Sequence, residues 1–143
     1  MIQFTINGET VAQGRPRAGK TRTGKTVVYD PTKSRDYKQF VKLIASQNRP
    51  SQPYEGPIMM QIDVYKQIPK SMPKYKQALA LEGKLRPTTK PDTSNYAKGI
   101  EDALNGIIYK DDSQIVSSVI NKFYSETPRV DITVCEVKTG VTI

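Results

Sequence analysis

Strand-like and helix-like periods follow one another in this chain without regular alternation, which argues against a fold built from repeated βα units. Residues 2–6 alternate, and Val130, Ile132 and Val134 alternate with Asp131, Thr133 and Cys135. A period of two marks half-buried strands. Residues 26–29, 58–66 and 114–123 also read as strands, the last pairing with 129–137. Tyr37, Phe40, Val41 and Ile44 share one helical face, and the helix start is written as a capping Asp30 followed by Pro31. Ser71 is placed to cap a second helix over 73–82, stopped by Gly83. A third runs over 93–105 and ends at Gly106. The order β-β-α-β-α-α-β-β predicts an α+β fold: one domain over residues 1–143, a small mixed β-sheet with helices packed on one face.

Charge is unevenly placed. The chain carries +8 overall, but residues 1–50 hold +7 and residues 66–90 hold +6, while residues 91–126 hold −3. Two basic regions flank an acidic centre. A basic surface favours polyanions, because Lys and Arg displace counterions from phosphate. The loop at 13–26, with Arg15, Arg17, Lys20 and Arg22, reads as a basic loop or hairpin tip. Lys38 on the first helix and Lys90 before the third complete the set expected at a DNA backbone. No apolar run is long enough to span a membrane, and the N-terminus lacks the charged start and apolar core of a signal peptide. The expectation is a cytoplasmic protein with no membrane partner.

The chain has no histidine and one cysteine, Cys135. That removes imidazole acid–base chemistry, internal disulfides and multi-cysteine zinc sites. A metal, if bound, is held by oxygen, which favours magnesium or manganese.

Oxygen ligands gather in the stretch KPDTSNYAKGIEDALNGIIYKDDSQI, which places Asp92, Asp102, Asp111 and Asp112 within 21 residues. Tyr96, Ile100, Ala103, Leu104 and Ile107 form its apolar stripe; Asn95, Lys98, Asp102 and Asn105 form a polar one. A chain turning back at Gly106 would group Asp92, Asp112 and Lys98. Clustered carboxylates repel one another, and a divalent cation relieves that repulsion. Each residue also has a plainer reading: Asp92 as a helix cap, Asp111 and Asp112 as a polar turn, Lys98 on a solvated face, Cys135 as a small buried hydrophobe. Tyr65 and Tyr75, set among lysines, read as core or rim residues or as base-stacking platforms.

The same stretch resembles the signature of the RusA family of Holliday junction resolvases, with GRPR and YDPTKSRDYK resembling its phage and Gram-positive branch. The resemblance implies a RusA-like fold and a homodimeric, magnesium-dependent endonuclease that resolves four-way DNA junctions by paired nicks, with no small-molecule cofactor. It implies catalytic roles for Asp92, Lys98 and Asp112, with Asp111 beside the metal and Asn95 and Asp102 in support. One position departs from the pattern: Ser94 stands where the family has its second catalytic aspartate. A serine brings no negative charge, so a second expectation is a junction-binding protein with little cleavage. A third, of another class, is a basic RNA-binding domain whose acidic helix is structural.

Overall fold

The computed structural model describes residues 1–12, 17–20, 22, 24, 26–29 and 32–137. Its main sheet is organised around β4 (Ile58–Gln67), with β6 (Arg129–Glu136) antiparallel on one side and β5 (Ile115–Ser125) parallel on the other. β1 (Ile2–Asn7) pairs antiparallel with β6, giving the order β1-β6-β4-β5. A two-stranded antiparallel ribbon is formed by β2 (Arg17–Lys20) and β3 (Thr26–Tyr29), within and beside the stretch read as a basic loop or hairpin tip. The helices are α1 (Thr32–Gln47), α2 (Lys74–Leu81) and α3 (Thr93–Leu104). The α+β class and the mixed sheet are as predicted, but the expected pairing of 114–123 with 129–137 does not form: both strands exist, and β4 lies between them, because β5 hydrogen-bonds to β4 in parallel and β6 takes its other edge.

Alternation decides which sheet face is dry. Ile58, Met60, Ile62 and Val64 of β4 are buried, as are Val130, Ile132 and Val134 of β6 and Phe4 and Ile6 of β1. They form one core with Val41 and Ala45 of α1 and with Tyr96, Ile100, Ala103 and Leu104 of α3. Burying each large apolar side chain contributes about 1.5–3 kcal/mol.

The opposite face carries a polar row whose carboxylates find donors within the sheet. Thr5, Asp131, Asp63 and Asn121 stand in register across four strands. Two aspartates on neighbouring strands would repel, yet each has donors of its own. Asp63 accepts from Asn121 Nδ2 at 2.9 Å and from Gln61 Nε2 at 3.1 Å. Asp131 accepts from Thr5 Oγ1 at 2.8 Å and faces Arg129 at 3.5 Å.

The parallel β4–β5 pair fixes where the acidic centre sits. Ile58 is registered with Ile115, so β5 begins at the end of the sheet where β4 begins. The connection must travel back along the sheet, and α3 is the segment that does so. Its N-terminus lies near the C-terminal end of β4, and its C-terminus delivers the chain to the start of β5.

One of the two expected caps differs and the other is not reached. Asp30 and Pro31 lie outside the described residues. Ser71 does not cap α2, which starts at Lys74 behind Pro73 with no side-chain cap. Cys135 is half-buried rather than fully buried. Among the described residues no helix is long and apolar enough to cross a membrane.

Candidate active site

Asp92 occupies the N-cap position of α3, but its side chain makes no capping hydrogen bond and is exposed. The plain reading of this residue as a cap is therefore not fulfilled, and the carboxylate is available. Ser94, Asn95 and Lys98 follow, all exposed, and then the half-buried Asp102 and Asn105. The predicted polar stripe is present, opposite the buried Tyr96, Ile100, Ala103 and Leu104.

The loop that delivers Asp92 is tied to the sheet by three cations, two from strands and one from the loop itself. Lys122 on β5 donates to the carbonyls of Thr89 at 2.7 Å and Pro91 at 3.2 Å. Lys66 on β4 reaches the Lys90 carbonyl at 3.5 Å. Arg86 donates to the Lys122 carbonyl at 2.9 Å and to Asn121 Oδ1 at 3.2 Å. Charged donors bind carbonyls more firmly than neutral ones, so the three set where the segment before Asp92 lies.

At the other end of α3 the Asp111–Asp112 pair divides its labour. Asp111 caps the short 3₁₀ turn Asp112–Gln114: its Oδ2 accepts from the Ser113 N–H at 3.0 Å, while Gln114 Oε1 accepts from the Asp111 N–H at 2.9 Å. The hydrogen bonds from Ser113 hold its carboxyl below the ordinary range. Gln114 Nε2 also donates to the carbonyls of Tyr54 and Gly56, anchoring the turn. Asp112 is left pointing at α3. Desolvation, the Asp111 charge and a hydrogen bond with the Asp102 carboxyl push its carboxyl up, and the Asn105 side chain pulls it partly back. Glu101 is raised by burial and then by Asp112 and Asp102. Lys38 of α1 meets Asp102 at 3.6 Å and brings a compensating cation to this group.

The structure thus brings Asp102, Asp111, Asp112 and Asn105 together and places Asp92 and Ser94 elsewhere. Ten residues of helix separate Asp92 from Asp102, about 15 Å at ~1.5 Å per residue. The strand gives the same answer: Lys122 touches the Asp92 loop, and seven residues of β5 back to Ile115 span about 23 Å at ~3.3 Å per residue. The grouping of Asp92 with Asp112 expected from a turn at Gly106 does not form within one chain. The chain does turn there, with Gly106 at φ +76°, but the turn leads into β5 at the far end of the sheet.

These residues can be tested against the magnesium that the resemblance implies. Among the described residues no three acidic or cysteine side chains converge as a ligand set. Magnesium ordinarily takes only one or two protein carboxylates and completes its shell with water or phosphate. The Asp112–Asp102 pair fits that demand: two carboxyls share a hydrogen bond, and Asn105 Oδ1 beside them is buried without a partner. Asp92 and Asp112 of one chain do not fit a single ion, because the gap far exceeds two ligand bonds of about 2.1 Å.

Of the residues expected at DNA, Arg15 lies outside the described residues, and of Arg17 and Lys20 only the backbone is described. Arg22 and Lys90 are exposed. Lys38 is turned toward Asp102. Reading the sequence alone missed Lys66, Arg86 and Lys122 as supports of the Asp92 loop. Nothing local marks them, since their contacts bridge 24 to 36 positions.

The sequence pattern of the endodeoxyribonuclease RusA family matches residues 7–135. The chain is also 54% identical over 138 residues to the uncharacterized protein YqaN of Bacillus subtilis (strain 168), covering 95% of this chain and 96% of that one. A family match that runs from the end of β1 to the end of β6, and so includes both ends of α3, makes this chain a member of the RusA endodeoxyribonuclease family.

Proposed function

We propose that the protein is a structure-specific endodeoxyribonuclease that resolves four-way DNA junctions in the cytoplasm, as a homodimer making paired nicks. The observation that carries this reading is the uninterrupted polar row on α3. It runs from the uncapped Asp92 through Ser94, Asn95 and Lys98 to Asp102 and the repelled Asp112, in a chain of a DNA-cutting family.

Each residue has a task in this reading. Asp112 and Asp102, with Asn105 beside them, hold magnesium, or manganese in its place; Asp111 shapes the turn that presents Asp112. The bound ion supplies a Lewis acid toward a phosphodiester oxygen and a source of hydroxide. Lys98, exposed between the two ends, offsets negative charge as it grows on the phosphate. Arg15, Arg17, Lys20, Arg22 and Lys90 hold backbone phosphates. Asp92 acts at the junction of subunits: a two-fold dimer sets the Asp92 end of one chain against the Asp112 end of the other, giving two equivalent sites for two nicks. Ser94 weakens this assembly, having no charge where the family has a carboxylate.

Ser94 also favours the second reading, a junction-binding protein with little cleavage. Binding assays in calcium, with a four-way junction, a duplex of the same sequence and an RNA hairpin as ligands, address both. Preference for the junction supports either DNA reading; preference for the hairpin would replace them with an RNA-binding function.

A further inference from the structure

We propose that the cavity beside the Asp92 loop receives one unpaired nucleobase of the strand being cut, and that Gln67 and Glu9 read its edge. The inference rests on the junction-cutting function above.

The cavity holds about 160 Å³ and is lined by Tyr65, Lys66 and Gln67 at the end of β4, Tyr96 of α3, and Glu9 and Thr10 after β1, with Pro128 closing it. At ~30 Å³ per water it has room for about five waters, the scale of one planar ring system and not of a nucleotide chain. Its position ties it to the candidate site. Tyr96 donates its backbone N–H to the Asp92 carbonyl at 3.4 Å, and Lys66 reaches the Lys90 carbonyl. A base seated there belongs to a strand passing Asp92.

The wall is held rigid. Tyr65 stacks on Phe123 with ring centroids 5.2 Å apart, and the Arg129 guanidinium lies 3.8 Å from the Tyr65 centroid. Arg86, which also supports the Asp92 loop, lies 4.3 Å from the Phe123 centroid. With Tyr65 stacked on Phe123 and Arg129, and Tyr96 buried, the two tyrosines serve as fixed apolar walls, and the polar residues supply an edge code. Gln67 offers a donor and an acceptor, while Glu9 offers acceptors only, which suits a base carrying an exocyclic amino group. A base can enter such a pocket only by leaving the stack, which costs least where stacking is already interrupted. A junction's branch point is such a place.

The test uses full-length protein and synthetic four-way junctions in calcium, so that binding is read without cleavage. Each nucleotide flanking the branch point is replaced in turn by an abasic site, or by thymine where the parent base carries an amino group. Wild-type protein should lose affinity by about tenfold at one position. Gln67→Ala and Glu9→Gln, both at exposed side chains, should melt like wild type and lose less than about twofold at that position. Wild-type affinity insensitive to the base at every position, or full sensitivity retained in both variants, would overturn the pocket while leaving junction binding intact. Failure of wild type to prefer the junction over duplex would overturn the function and the pocket together.

Discussion

Asp112 shares a hydrogen bond with the carboxyl of Asp102, although one follows the turn after α3 and the other lies within the helix. Two carboxyls so placed share a proton when the pH is low and repel when both are charged. A divalent cation would relieve the repulsion, so the proposed site should respond to metal as well as to pH.

Stability should report this directly. The native state holds the Asp112 proton above its ordinary pKa of 3.8. The native state therefore binds more protons than the unfolded chain between 3.8 and the raised native value, and this group's contribution falls as pH rises through that window. Glu101 acts with the same sign from 4.5 upward. Asp112→Asn, in metal-free buffer, should gain stability over wild type as pH is raised through the window, read from thermal melts. Millimolar magnesium should raise the melting temperature of wild type and leave the variant unmoved.

Asp92 makes a contrasting case. A capping aspartate replaced by a side chain that cannot cap costs about 1 kcal/mol, but Asp92 makes no cap bond to lose. Asp92→Ala should melt within a degree or two of wild type and bind the junction, yet fail to cut it. Asp112→Asn should also fail to cut. Mixing the two inactive proteins should restore part of the activity, because one composite site in a mixed dimer keeps both carboxylates. No recovery on mixing would place both groups' work within a single chain.

Lys122 donates to two carbonyls of the loop that leads into Asp92. Lys122→Met removes two charge-assisted bonds to carbonyls and should cost about 1–2 kcal/mol of stability. Its single-turnover cleavage rate should fall more than its junction affinity, and Lys122→Arg should restore a good part of the rate. A variant that loses stability alone, with an unchanged rate, would make Lys122 a structural support only.

Ser94 is the second residue of α3, in its exposed first turn. Adding a carboxylate there should strengthen cation capture by about 1–3 kcal/mol after desolvation, or roughly tenfold to a hundredfold in apparent magnesium affinity. Ser94→Asp should lower the magnesium needed for half-maximal cleavage and raise the plateau. An unchanged midpoint and plateau would show that the missing charge does not matter.

The periodic elements were legible because periodicity is local. Val130, Ile132 and Val134 announce a strand, and Tyr96, Ile100 and Leu104 a helix, before any partner is known. The roles of Asp111 and Asp112 were not separable from sequence, since they depend on which carboxyl meets Ser113 and which meets α3. The distance between Asp92 and Asp112 was also hidden: it follows from β5 running parallel to β4, a pairing between positions 58 and 115. Lys66 and Lys122 resemble any other surface lysines until the sheet brings them to the carbonyls of residues 89–91.

Cleavage of a synthetic four-way junction is the decisive measurement for this protein. Full-length protein is mixed in excess with a labelled junction, and magnesium is added or withheld by chelation. Paired, symmetry-related nicks should appear with magnesium, disappear with chelator and be absent on linear duplex. A junction left intact at saturating magnesium by both wild type and Ser94→Asp, or a duplex cut equally well, would rule out a junction resolvase.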